Sequence, residues 1–232
     1  MEDIADAVII AFQLILGLDG ALFRIVSLSL SISLSAVAIA GAIGLPIGAA
    51  LSVYDVPGRR IAVVIVNGFL GLPPVAVGLL VYLMLSRSGP LGSLGLLFTP
   101  AAMVVAQTIL VAPIVIALTH RAVAEAWAAY GDTLLADGAS RLRALSELLA
   151  IARSGVVTAI LAGFGRAIAE VGAIIIVGGN IAGVTRTMTT AIALETSKGN
   201  LPLALGLGII LITMSVAVSA VAFVSSRRGM YS

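Results

Sequence analysis

The chain contains no cysteine and only one histidine, His120. Disulfides and thiolate metal sites are therefore excluded, and so is any multi-histidine metal centre. Charge is equally scarce: Asp, Glu, Lys and Arg make up 10% of the 232 residues, where a soluble domain carries about 25%. Aromatic residues stop at 5%. No Gly-Lys-Ser/Thr ends a phosphate-binding loop anywhere in the sequence, so the chain has no Walker A motif of its own. What remains is apolar, with 60% hydrophobic residues and a mean hydropathy of +1.19. Only an integral membrane protein fits that composition. A membrane-embedded enzyme is disfavoured, because neither a histidine cluster nor a complete metal-binding carboxylate motif is present.

The N-terminal residues read MEDIADAVIIAFQLILGLDG. Glu2, Asp3 and Asp6 stand where a cleavable signal peptide needs basic residues. The apolar run at 7–18 is shorter than the roughly 20 residues a spanning helix requires. Ile4, Val8, Phe12 and Ile15 share one helical face, so residues 1–20 are expected to form an interfacial amphipathic helix.

Five stretches exceed the spanning length: 25–54, 61–86, 88–119, 154–185 and 199–226. The first contains SLSLSISLS, whose strict alternation imitates a strand. A membrane strand needs only about 9–11 residues, and this run continues far beyond that. Helix is the expectation, with serines bonding back to the preceding turn and allowing close contacts. Pro46, the pair Pro73-Pro74, and Pro113 interrupt the first three stretches; each bend is either satisfied by neighbouring helices or shapes a pathway. Gly44 and Gly48 have small-xxx-small spacing and predict tight packing. The basic residues set the orientation. Arg59, Arg60, Arg121, Arg141, Arg143, Arg153, Arg227 and Arg228 fall on one side, against Arg24, Arg87, Arg186 and Lys198 on the other. The richer side is cytoplasmic by the positive-inside rule. The N-terminus is then outside, the C-terminus inside, and 120–155 is the largest cytoplasmic element.

That loop is helix-forming, with expected breaks at Gly131 and Gly138 and with Ser140 as an N-cap. DGASR, residues 137–141, matches the opening of the phosphatidyltransferase signature. No aspartate occurs after Asp137, so the metal-binding remainder of that signature is missing.

The loop resembles the EAA loop of ABC importer permeases. Gly138 matches its glycine, Ala139-Ser140 follow as they often do there, and Asp132-Thr133-Leu134 stands in degenerate form for the glutamate-alanine-alanine triplet. Downstream, GRAIAEVGAIIIVGGNIAGVTRTMTTAIALETSKGN is similar to the permeases of tungstate and molybdate importers, as are LPIG at 45–48 and LPPVAVG at 72–78. The missing proline after the loop and the GGN-to-TSKGN stretch lean toward the tungstate-type branch.

The resemblance implies an all-α polytopic fold of five transmembrane helices in one permease domain covering 1–232. It implies a homodimeric pore in the cell membrane, two ABC ATPase subunits beneath it and an extracytoplasmic oxyanion-binding protein above. No cofactor, metal or nucleic acid is expected. The contacts that couple to the ATPase are expected at Asp132, Leu135, Gly138, Ala139, Ser140 and Arg141. For the pathway or gate, the candidates are Arg166, Glu170, Asn180, Thr185, Arg186 and Thr187, with Asn67, Gln107 and Thr108 as further polar groups in the spans. Each of these also has a plainer reading as an interhelical hydrogen bond. Arg186 is expected near the outer mouth, where its charge would attract an anion. Arg166 and Glu170 lie at i and i+4 in the fourth stretch and are expected to share a helical face, either locking helices together or gating. The alternatives are a permease for sulfate or phosphate, or a secondary transporter that works without ATP. Such transporters often carry an internal inverted repeat, and none is visible here.

Overall fold

A computed structural model describes residues 20–228, together with Ile9 and Gln13. The expected interfacial helix at 1–20 lies outside the described residues, apart from those two and Gly20. The described residues are mostly helical and contain no strand. In chain order they form α1 (Gly20–Val53), α2 (Arg59–Gly68), α3 (Pro74–Leu85), α4 (Pro100–Ala136), α5 (Arg141–Ile151), α6 (Arg153–Ile168), α7 (Gly172–Gly178), α8 (Met188–Ser197) and α9 (Leu201–Arg228). SLSLSISLS is indeed helical, deep inside α1.

Among the described residues, α1, α4 and the 201–221 part of α9 are each long and apolar enough to cross a membrane. Two interrupted pairs reach that length only jointly: 59–71 with α3, and α5 with α6, giving up to five spans. The boundaries differ from the sequence expectation in three places. The second stretch is broken at Leu72-Pro73, where ψ leaves the helical range for 124° and 118°. The third becomes helical only at Pro100, after a turn-rich segment containing Gly95 and Phe98 at positive φ. The fourth is split between α6 and α7. Gly131 does not break its helix, because α4 runs through it to Ala136; an isolated glycine costs a helix only about 1 kcal/mol.

The chain divides into two compact units. The first comprises residues 20–36, 73–107 and 165–221. Here α3 lies against α7 so closely that a Cβ on Gly78 would sit 2.7 Å from Ala173 Cα. A second cluster gathers Leu22, Met188, Ala191, Leu207 and Ile210. Phe98 donates its N–H to Val177 O at 2.9 Å and sets its ring edge-on to Tyr82.

The second unit comprises residues 37–72, 108–164 and those from 222 onward. Its core is Ala49, Val53, Val123, Ala126, Ala144, Leu148 and Ala152, with Trp127 and Leu145 packed against it. The α1 glycines of this unit meet their neighbours at backbone distance. A Cβ on Gly48 would lie 2.7 Å from Ile116 O and 2.8 Å from Thr119 Cβ, and one on Gly44 would lie 3.0 Å from Val115 Cγ1. Ser52 adds polar contacts, with its hydroxyl 2.9 Å from both His120 Nδ1 and His120 O.

Overpacking a filled contact costs about 1–3 kcal/mol, whereas an unstrained Gly→Ala change stabilises by about 0.4–1 kcal/mol through the unfolded chain. Gly48→Ala is therefore expected to lower the thermal midpoint of the purified protein. Gly68→Ala is expected to leave it unchanged or raise it, since Gly68 has helical φ −61° and ψ −35° and open space at its Cβ. Equal midpoints for the two variants would contradict this packing.

Candidate functional site

Two groups of the candidate residues assemble inside the first unit. One surrounds the break between α6 and α7. α6 ends at Ile168 and Glu170 lies beyond it, so Arg166 and Glu170 do not share a continuous helical face as the spacing suggested. They pair all the same: Arg166 Nη1 donates to Glu170 Oε2 across the helix end. Glu170 is only 4% exposed and Arg166 29%. The other carboxylate oxygen, Oε1, accepts the N–H of Ala173 at 3.0 Å, which satisfies an amide in the first turn of α7. The main-chain carbonyl of Glu170 accepts the Thr189 hydroxyl at 2.8 Å. One residue thus binds the end of α6, the start of α7 and the start of α8.

The surroundings are polar and buried. Gln107 Nε2 donates to Ala167 O at 2.9 Å. Gln107 also lines a cavity of about 10 Å³ with Ser29, Ser33, Thr187 and Thr189. Ser29 Oγ accepts the N–H of Met188 at 2.8 Å and donates to Ile25 O at 2.8 Å. Thr187 caps α8, its side chain accepting from Thr190 while Thr190 Oγ1 accepts the N–H of Thr187. Ser29, Thr189 and Thr190 were not singled out from the sequence. Ser29 and Ser33 are buried in α1 at i, i+4 spacing, and that spacing inside SLSLSISLS was the available signal.

The second group joins the 179–186 turn to α8. Gly179, Asn180 and Gly183 have φ of 72°, 50° and 76°; asparagine tolerates that region better than most residues with a Cβ. Thr185 is fully buried, donating to Gly178 O at 2.5 Å and accepting the N–H of Ile181 at 2.9 Å. Arg186 donates from Nε to Asn180 Oδ1 at 3.2 Å and from Nη2 to Asn180 O at 3.4 Å. Close by in sequence, the hydrogen bond from Lys198 holds the Glu195 carboxyl below its usual range, and Asn200 and the charge of Arg186 add to this. Asn67 bonds back to Val63 O at 2.7 Å on an exposed helix and joins neither group.

The coupling candidates sit in the second unit, where α4 gives way to α5, and Thr108 lies in the same unit, near the start of α4. Gly138, at φ 81°, donates to Leu135 O at 3.0 Å, and Ala139 donates to Leu134 O at 3.0 Å. This is the Schellman arrangement, with glycine in the left-handed position that terminates a helix. Ser140 then caps α5, accepting from Arg143 N. Arg141 Nη1 donates to Val53 O at 2.9 Å and ties the corner to the end of α1. Asp132, Leu135, Gly138 and Ser140 remain exposed.

Long apolar helices interrupted at buried polar contacts define the class as a multi-pass membrane protein. No family model matches the chain. Individual relatives do. A probable anion ABC transporter permease protein of Haloferax volcanii is 43% identical over 204 residues, spanning 86% of this chain and 88% of the relative. The tungstate uptake system permease protein TupB of Peptoclostridium acidaminophilum is 37% identical over 226 residues, or 96% and 98% of the two chains. The molybdenum transport system permease protein ModB of Azotobacter vinelandii is 32% identical over 134 residues, covering 52% and 57%. The chain belongs to the family of ABC importer permeases for oxyanions, in its tungstate-type branch.

Removing one partner of a buried ion pair costs about 3–5 kcal/mol when both are fully buried. Arg166 is partly exposed, so Glu170→Ala is expected near the lower end of that range. Glu170→Gln, which keeps an acceptor for Ala173, is expected to cost less. A double-mutant cycle of Arg166→Gln and Glu170→Gln, read in thermal stability and in transport, separates lock from gate. Coupling confined to stability leaves no gating role.

Proposed function

We propose that this chain forms the translocation pathway of an ATP-driven tungstate importer in the cell membrane, as a homodimer. Two ABC ATPase subunits bind its cytoplasmic face and hydrolyse the ATP, and an oxyanion-binding protein delivers substrate from outside. The observation that carries this reading is the end-to-end match to a tungstate uptake permease, over 96% of this chain and 98% of the relative. The molybdenum permease relative, matched over 52% of the chain, makes molybdate the second substrate. Tungstate, molybdate and sulfate share a tetrahedral dianion shape, and selectivity among them falls chiefly to the binding protein.

The charge distribution supports an N-out, C-in topology for one permease domain. The eight arginines of the richer side all belong to the second unit, while Arg24, Arg87, Arg186 and Lys198 all belong to the first. The corner at Gly138 is the coupling element. Asp132, Leu135, Gly138, Ala139, Ser140 and Arg141 present a capped, exposed knob, held rigidly by the Schellman turn and by the Arg141 bond to Val53. Rigidity suits coupling, because a floppy corner would absorb motion of the ATPase instead of passing it on. Arg166 and Glu170 serve as a pin: with both carboxylate oxygens engaged, the pair neutralises itself and traps no anion. Asn180, Thr185, Arg186 and Thr187 frame the outer part of the pathway.

Proteoliposomes holding the permease with its ATPase and binding protein are expected to take up labelled tungstate only when ATP is supplied. Uptake without ATP would support a secondary transporter instead. Gly138→Glu puts a side chain on a left-handed residue and a charge on the knob. It is expected to abolish ATPase association and transport, and unchanged values for both would remove the coupling assignment.

A further inference from the structure

Within the first unit, the opening turns of α1 and the 182–186 segment enclose a cleft of about 490 Å³. Arg24, Ser27 and Ser31 line it from α1, and Gly183 and Arg186 line it from the other segment. Neither arginine is within ion-pair distance of a carboxylate among the described residues. Arg186 spends two of its five N–H donors on Asn180, and its guanidinium keeps the rest. Glu195, the acid whose charge Arg186 influences, is already engaged by Lys198 at 2.8 Å and Asn200 at 3.3 Å. The cleft therefore holds two guanidinium groups that no carboxylate among the described residues meets at ion-pair distance, with the Ser31 hydroxyl beside them, while Ser27 donates its own hydroxyl to Arg24 O at 3.1 Å. This differs from Arg166, whose charge is answered by Glu170.

We infer that this cleft binds a tetrahedral oxyanion dianion directly, between the guanidinium groups of Arg24 and Arg186. Guanidinium forks match oxyanion edges in geometry and in charge, and a charge-assisted bond is about twice as strong as a neutral one. Two cations facing one concavity repel each other, and a dianion removes that repulsion while gaining both attractions. The cleft is much larger than such an ion, so the anion keeps part of its water. A site of this kind concentrates the ion and still releases it, as import requires. An acidic protein surface is a poorer occupant, because the arginines line a concave cleft from two separate segments and not a flat face. The inference rests on the oxyanion reading above and adds Arg24 and Ser31 to it as binding residues.

The test uses the purified permease–ATPase complex without its binding protein, with a non-hydrolysable ATP analogue filling the nucleotide sites. Tungstate is titrated in and heat is measured. Saturable binding is expected, weakened about tenfold or more by Arg24→Gln and by Arg186→Gln, each of which removes charge-assisted hydrogen bonds to the anion. Arg87→Gln, outside the cleft, is expected to leave the affinity unchanged. Absence of saturable binding, or an unaltered affinity in Arg24→Gln, overturns the inference. So does a defect of Arg24→Gln confined to docking of the binding protein, which would make the cleft a protein contact. If the complex imports tungstate with the binding protein but binds none alone, the cleft assignment falls and the transport reading stands. If tungstate binds and both variants weaken it, yet no ATP-driven tungstate uptake occurs, the reverse holds.

Discussion

Hydrocarbon offers no hydrogen-bond partners, so a helix broken inside a membrane must have its freed amides and carbonyls answered by the protein. Glu170 does this at the break between α6 and α7. Its carboxylate takes an amide of α7, its carbonyl takes the hydroxyl of Thr189, and its charge is balanced by Arg166 at the end of α6. An alanine at 170 would leave a cation and an amide unanswered together, while the main-chain carbonyl would still accept the Thr189 hydroxyl. The other interruptions use different means. At Leu72-Pro73-Pro74 the prolines carry no N–H, so fewer donors are orphaned, and Val77 recovers the Pro73 carbonyl at 3.1 Å. At Gly138 a left-handed residue folds two amides back onto the closing turn of α4.

Between helices, attraction has to come from close packing and polar contacts, because lipid tails are as apolar as leucine. The second unit relies on glycine, with the α1 backbone lying against α4 at Gly44 and Gly48 so closely that a methyl group would collide. The first unit relies on hydroxyls. Ser29 meets the N-terminus of α8, and Thr185, Thr187, Thr189 and Thr190 secure the 179–190 segment. Hydroxyls suit that place because the segment is irregular and its amides lack helical partners, whereas glycine suits two regular helices in contact.

Much of this was legible from residues alone, and the remainder has identifiable causes. Composition fixes the membrane class, run length decides helix over strand for SLSLSISLS, and Gly138 with Ser140 announces the α4–α5 corner. The breaks were harder to read. Apolar periodicity cannot separate one long span from two short helices when both are buried in the same medium, so 154–185 reads as continuous. Gly131 misled in the opposite direction: its helical backbone, packed against Trp127, needs no left-handed conformation. The partners of Glu170 were also hidden, since Thr189 is nineteen residues away and bonds to a main-chain carbonyl that no motif records.

Apolar exposure, which in a soluble protein points to an interface, carries little information here. Ile61 and Val64 on α2 and Ile212 and Val216 on α9 are all more than half exposed, and lipid satisfies such faces as well as a partner does. Functional information is therefore concentrated in the few charges, and above all in how each is balanced. Arg166 is neutralised within its own segment, so it contributes structure and little field. Arg59 pairs with the exposed Asp55, a surface bridge of small energetic value. Arg24 and Arg186 meet no carboxylate at ion-pair distance among the described residues, and Arg186 is held by a neutral asparagine that orients the guanidinium without cancelling it. An importer of dianions must combine attraction with release, and orientation without neutralisation meets both demands. On the inference drawn above, that asymmetry among the arginines separates those that build this permease from those that would meet its cargo.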